Sequence, residues 1–261
     1  MNLIRSAKSG NDWTRNELAA YRIEIHREDP LIFFGVQALP QPQVDPELLT
    51  SLDATQAASD SNAELLHLLD MAMTPRSGDS AVNDFVAGLF RALGYAKRNR
   101  VARTQRALSL FIYGEFGQAQ TDVCIIDRDR NDILLLVQED KRFKEGEGVD
   151  PEAQLIAQAV AAFAFNNEQR AKADMEPLDG KIMPGITMVG TTPTFYKIPV
   201  TRALLQHVAQ GTYPPEPATR VTYCQPPVPR PARRYSEGMK PLDNRRQILS
   251  CYEAFKVIVG I

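Results

Sequence analysis

Cysteine is scarce. Cys124, Cys224 and Cys251 are the only three in 261 residues, and no C-x-x-C pair exists. The spacing therefore offers neither a disulfide framework nor a structural zinc site, and a reducing compartment is expected. His26, His67 and His207 are scattered, without H-E-x-x-H or zinc spacing. No run approaches the roughly 18 apolar residues of a membrane span. The opening MNLIRSAKSGNDW lacks the apolar stretch of a secretory signal. A cytoplasmic or nuclear protein, not secreted and with no membrane partner, is the expectation. Excess positive charge is missing too: the formal net charge is -2. Any contact with a polyanion must come from a local basic patch. G-x-S-x-G, P-loop and G-x-G-x-x-G motifs do not occur, which removes the usual sequence support for hydrolase triads, NTPases and dinucleotide enzymes.

What is present reads as mixed α/β. Apolar residues make up 44% and charged residues 24%, enough for a sizeable core in an ordinary globular chain. Residues 1–80 carry six Lys/Arg against twelve Asp/Glu, a local balance of −6. YRIEIH alternates like a strand, LPQPQVDP reads as a loop, and Ser61-Asn-Ala-Glu64 as a capping box opening a helix over LLHLLDMAM. Val82, Phe85, Val86, Leu89, Phe90 and Leu93 recur at helical spacing, with Ser80 to cap the start and Gly94 to end it. ALSLFIYGEFG, QTDVCIID and DILLLVQED read as three successive strands punctuated by Gly117 and the DRND cluster. Asp150-Pro151 is an N-cap and first-turn proline for a long, mostly apolar helix, PEAQLIAQAVAAFAFNNEQRAK. ITMVG and TFYKIPV read as strands, TRALLQHVAQ as a short helix, and NRRQILSCYEAFKVIV as a closing helix. Residues 213–232 hold seven prolines and read as irregular.

The chemistry-bearing stretch is TDVCIIDRDRNDILLLVQEDKR, residues 121–142. Asp122 opens one apolar strand and Glu139-Asp140-Lys141 closes the next. A hairpin closed near Asp127 and Asp132 places Asp122 across from Val137, on the face that carries Glu139 and Lys141. A one-residue slip would separate the acids. Two carboxylates and an ammonium at a sheet end suit Mg²⁺, which takes oxygen ligands and keeps several waters.

This arrangement resembles the PD-(D/E)XK nuclease superfamily, with its restriction-endonuclease-like fold: a helix, a three-strand meander, a crossover helix and a further strand. Asp122 matches the Asp of the motif, Glu139-Asp140-Lys141 matches E-x-K, and Thr121 stands where the motif's Pro is often found. The resemblance covers about residues 80–200. It implies a mixed β-sheet flanked by helices and Mg²⁺- or Mn²⁺-dependent hydrolysis of phosphodiester bonds. Asp122 and Glu139 would be metal ligands, and Lys141 would serve the attacking water. Gln154 or Gln158 of the crossover helix would support the site. The partner is nucleic acid, DNA ahead of RNA. Asp84, Glu64 and Glu115 are open as a third acid. The domain reading is an acidic α/β extension at 1–79, the nuclease-like core at 80–212, and a Pro-rich segment with a C-terminal helix at 213–261. The alternative is a nuclease-like fold without activity, acting as a protein or nucleic-acid interaction module.

Lys97, Arg98, Arg100, Arg103 and Arg106 precede the meander and are candidates for phosphate contact. Arg230, Arg233, Arg234, Lys240, Arg245 and Arg246 form a second basic group among prolines, expected to be a surface linker. DRDRND lacks the glycine and closing Glu of a calcium loop and reads as a polar turn. Cys124 inside VCII reads as a buried apolar residue.

Overall fold

The computed structural model describes residues 6–74, 80–140 and 150–261. Helices α1 (Arg15–Ala20), α2 (Pro30–Phe34), α3 (Glu47–Thr50), α4 (Asp60–Met73) and α5 (Ala81–Ala92) fill the first third. Strands β1 (Ile23–Arg27), β2 (Arg100–Ile112), β3 (Glu115–Asp127) and β4 (Asp132–Glu139) lead to α6 (Pro151–Lys172). β5 (Gly180–Val189), β6 (Thr192–Thr201), α7 (Arg202–Gln210), β7 (Thr219–Cys224), α8 (Arg234–Glu237) and α9 (Leu242–Val259) complete the chain.

The strands form one seven-stranded sheet in the order β1-β7-β6-β5-β4-β3-β2. β4–β5 and β1–β7 are parallel pairs and the rest are antiparallel. The protein is thus α/β, with a mixed sheet flanked by helices. β2, β3 and β4 are a meander, and α6 is the crossover that makes β5 parallel to β4, as a parallel neighbour requires. One sheet face packs Val123, Ile125, Val137 and Met188 against α4, α5 and α9. The other packs Cys124, Ile126, Leu136 and Met183 against α6 and α7. Elements from all three sequence segments share this sheet.

Local chemistry explains most boundaries. Asp150 caps α6 by accepting from Ala153 N at 3.1 Å, and Pro151 takes the first turn, where no N–H is needed. The β2–β3 turn is Tyr113-Gly114, both at positive φ (50° and 81°), as a two-residue hairpin turn demands. Gly117 therefore lies inside β3 and is not the punctuation expected of it. β2 starts at Arg100, so part of the basic stretch is strand. α4 begins at Asp60 with Ser59 as N-cap, which leaves Ser61 inside the helix. Glu47 takes over the capping from outside, accepting from Ser59 N at 3.3 Å and Asn62 Nδ2 at 2.7 Å. Residues 213–232 contain a strand, β7, between their prolines.

The second basic group is not a linker. Arg230 pairs with Glu237 at 2.6 Å and with Asp243 at 2.7 Å, and Lys240 pairs with Asp70 at 2.6 Å. Arg245 is 2% exposed and donates to the carbonyls of Leu48, Ser51, Leu52, Met239 and Lys240. It pins α9 to the turn after α3.

Candidate active site at the ends of β3 and β4

The hairpin closes at Asp127–Asp132, as expected, but a bulge between Ile125 and Ile126 shifts the register. Val137 lies across from Val123, not from Asp122. By strict alternation that slip would send Asp122 and Glu139 to opposite faces.

A second irregularity offsets it. Ala119 and Val123 are both odd-numbered on β3, yet Ala119 packs on the α6 side and Val123 on the α5 side. On β2, Leu108 and Ala102 show the same reversal. Both strands change faces where Gln105 and Asp122 stand opposite each other, between the Thr104–Val123 and Arg106–Thr121 pairs. Gln105 has φ 49°, the left-handed region that a non-glycine residue rarely enters. Such strain persists only where surrounding structure enforces it, and it concentrates at functional sites.

The result is a contact between the two acid positions. The β3–β4 ladder stops at Val123–Val137, and the Asp122 Oδ2 accepts from Glu139 N at 2.7 Å, in place of a ladder carbonyl. Asp140 N continues instead to Met188 O of β5 at 2.7 Å. Glu139 (2% exposed) and Asp140 are buried at the carboxyl end of the parallel β4–β5 pair. They line a cleft of about 390 Å³. Its walls are Ala72 and Met73 at the end of α4, Val82 of α5, Gly190 of the β5–β6 turn, and Tyr235 and Ser236 of α8.

A polar layer lies behind the acids on the α6 face. Gln158, fully buried, donates to Gln120 O at 2.8 Å and to the Gln138 side-chain oxygen, so it ties β3 to β4 two positions before Asp122 and one before Glu139. Gln154 turns elsewhere and donates to Asn11 O. Of the two glutamines, Gln158 adjoins the acid-bearing strands. Gly10 allows the N-terminal segment this close: a Cβ there would meet the Ala119 Cβ at 2.6 Å. Tyr196 donates to Glu152 Oε1 at 2.8 Å, and burial beside that carboxylate pushes its phenol well up. Arg15 joins Asp150 at 2.9 Å and also meets Glu152. Gln138, Tyr196, Glu152 and Arg15 were not singled out from sequence. Only Glu152 had a signal there, as an acid in the first turn of α6.

Lys141 lies outside the described residues. Asp84 and Glu64 line a neighbouring groove with Arg91 and Arg103, and Glu115 sits beside the β2–β3 turn. None of the three borders the cleft beside Glu139. The basic residues do not gather at the acids but spread from the turn before β2 to Arg106. Arg100 pairs with Asp127, five positions along β3 from Asp122, roughly 17 Å away. It donates to Gly94 O and Tyr95 O, both at 3.1 Å, and so closes the end of α5. Lys97, Arg98 and Arg103 are exposed, with Lys97 and Arg98 in the turn before β2. Arg106, across from Thr121, is the one of the five beside the acids, and its guanidinium covers the Phe165 ring at 4.7 Å.

Among the described residues no group of three or more His, Cys, Asp or Glu is placed to hold a metal. The donors at the cleft are carboxylates. That suits a hard cation which keeps much of its water shell, and it does not suit a closed zinc-type cage. No helix among the described residues is long and apolar enough to cross a membrane. No protein-family model matches the chain, and none of the curated proteins is significantly similar to it.

Proposed function

We propose that the protein is a metal-dependent nuclease that hydrolyses phosphodiester bonds in nucleic acid. One observation carries the reading: Asp122 is brought, through a strained, face-switching strand pair, onto the main chain of Glu139, which lines a cleft. The order α5-β2-β3-β4-α6-β5, with β5 parallel to β4, supports it. This is the helix, meander, crossover helix and further strand that the PD-(D/E)XK resemblance implies.

Asp122 and Glu139 would hold Mg²⁺ or Mn²⁺, which would supply Lewis acidity toward a phosphate oxygen and lower the pKa of a bound water. The Lys141 ammonium, on the sequence motif alone, would orient that water and offset charge developing on the phosphate. Water would attack phosphorus, the P–O bond to the leaving sugar oxygen would break, the attacking water would give up a proton to solvent, and the leaving alkoxide would take one up from solvent to leave as the alcohol. Gln158 would be a positioning residue, since it ties the β3 backbone at Gln120 to the Gln138 side chain of β4, next to the two acids.

The test is cleavage of single- and double-stranded DNA and RNA with Mg²⁺, Mn²⁺ or EDTA, using wild type, Asp122→Asn, Glu139→Gln and Lys141→Ala. Metal-dependent cleavage by wild type that each substitution removes supports the reading. Burial of Glu139 at 2% exposure favours the second reading, an inactive interaction module on the same fold. That reading predicts binding of nucleic acid or protein with no cleavage under any metal.

A further inference from the structure

Beyond Asp122 the β2–β3 hairpin runs past the end of β4, and one of its faces carries no helix among the described residues. Successive cross-strand pairs on that face are Ala107–Gln120, Ser109–Gln118 and Phe111–Phe116. All six residues are exposed, while Leu108, Leu110, Ile112 and Ala119 between them are buried on the α6 side. The row is uncharged, in a chain that is 24% charged. It starts at the Gln105–Asp122 position of the candidate active site. It ends at the two phenylalanine rings, 4.8 Å apart and tilted by 53°, with Phe116 81% exposed. Among the described residues, the Ser109 hydroxyl and the Gln118 and Gln120 side-chain amides have no hydrogen-bond partner.

We infer that this hairpin face is the docking track for a single-stranded nucleic acid feeding the acid cleft. The inference rests on the nuclease reading for its occupant. An aromatic pair offers stacking platforms that accept any base. Glutamine amides and a serine hydroxyl present both donors and acceptors, the complement of base edges. The row has no cation to grip a phosphate backbone, so it is suited to bases. A duplex keeps its base faces stacked inside, whereas a single strand exposes them. Continuity with Asp122 sets the direction: bases lie along the hairpin, and the strand's backbone leads to Asp122, which meets the main chain of the cleft-lining Glu139. The occupant therefore follows from three features together, namely the aromatic end, the neutral amide row and the acid at the other end.

Fluorescence anisotropy in EDTA tests this, with fluorescein-labelled single-stranded DNA and the corresponding duplex as probes. Wild type should bind the single strand at least tenfold more tightly than the duplex. Phe111→Ala/Phe116→Ala should weaken single-strand binding by about tenfold or more, as loss of base stacking does, with an unchanged thermal midpoint. Equal binding by wild type and the double variant, equal affinity for duplex, or no binding at all would overturn the track. So would a change in sedimentation of the double variant without a change in anisotropy, which would mark the face as a self-association surface. The two readings separate cleanly. Single-strand binding that depends on the phenylalanines, without cleavage under Mg²⁺ or Mn²⁺, keeps the track and removes the nuclease. Cleavage with an unaltered KM in the double variant does the reverse.

Discussion

The two ends of β4 both bury polar side chains, in contrasting ways. At the bulged end, Asn166 of α6 accepts from Ile133 N at 2.8 Å and donates to Ile133 O at 2.9 Å. One amide thereby satisfies both backbone groups of a residue beside the register shift, and it is 1% exposed. That is polar burial in the service of the fold. At the other end Asp122 supplies a carboxylate where a carbonyl would complete the ladder, and Glu139 and Asp140 open onto a cleft. A neutral group would accept from Glu139 N equally well. Placing a charge there adds a desolvation cost that the fold does not need.

Substitutions can break or sharpen this contrast. The largest effect is expected at Arg245, the clearest case of polar burial for structure. Arg245→Met leaves five carbonyls without their donor and should cost about 3–5 kcal/mol in denaturant unfolding, with cleavage per folded molecule unchanged. Asn166→Ala should cost roughly 2–4 kcal/mol, the penalty of two unsatisfied buried backbone groups, again with cleavage per folded molecule retained. Asp122→Asn should behave in the contrary way. Its side-chain oxygen can still accept from Glu139 N, so stability should move by less than about 1 kcal/mol, while cleavage falls by about a hundredfold or more. A large loss of stability at Asp122 with activity intact would erase the difference between the two ends.

The smallest effect concerns Asp243, whose carboxyl is held down at about 2 by the Arg230 guanidinium. A folded-state value below the ordinary 3.8 makes the pair stabilising above that value. The contribution is then lost as pH falls from about 4 toward 2. Arg230→Ala should flatten the acid limb of the stability profile in that window and leave neutral-pH cleavage alone. An acid limb of unchanged steepness would remove the pair from the account.

How much of this could be read from the chain depended on local signals. α6 was legible to its exact ends, because Asp150-Pro151 is an unambiguous cap and the helix that follows has no breaker. The meander and its parallel crossover were legible from apolar runs and turn residues. β7 was not: TRVTYC is short and lies between prolines that suppress a strand reading. The start of β2 was hidden because RVARTQR is basic and is half-buried or exposed throughout, without an alternating apolar face. Asp122 and Glu139 stood out as charges at the ends of buried strands. Their register did not, because ILLLV is apolar at every position and carries no parity to betray a bulge. The positive φ at Gln105 has no glycine or asparagine to announce it. Two silent irregularities were needed to bring the acids together, and a reading of alternation alone misplaced Asp122 by one position.

The most direct test is a thermal melt of wild type and Asp122→Asn across a Mg²⁺ or Mn²⁺ titration. A cation held by the folded acid pair should stabilise wild type by mass action, about 2.7 kcal/mol at 100 times its dissociation constant. Asp122→Asn should respond little at the same concentrations. Equal metal responses in the two proteins would show that Asp122 and Glu139 do not form an ion site, and would contradict the account at its centre.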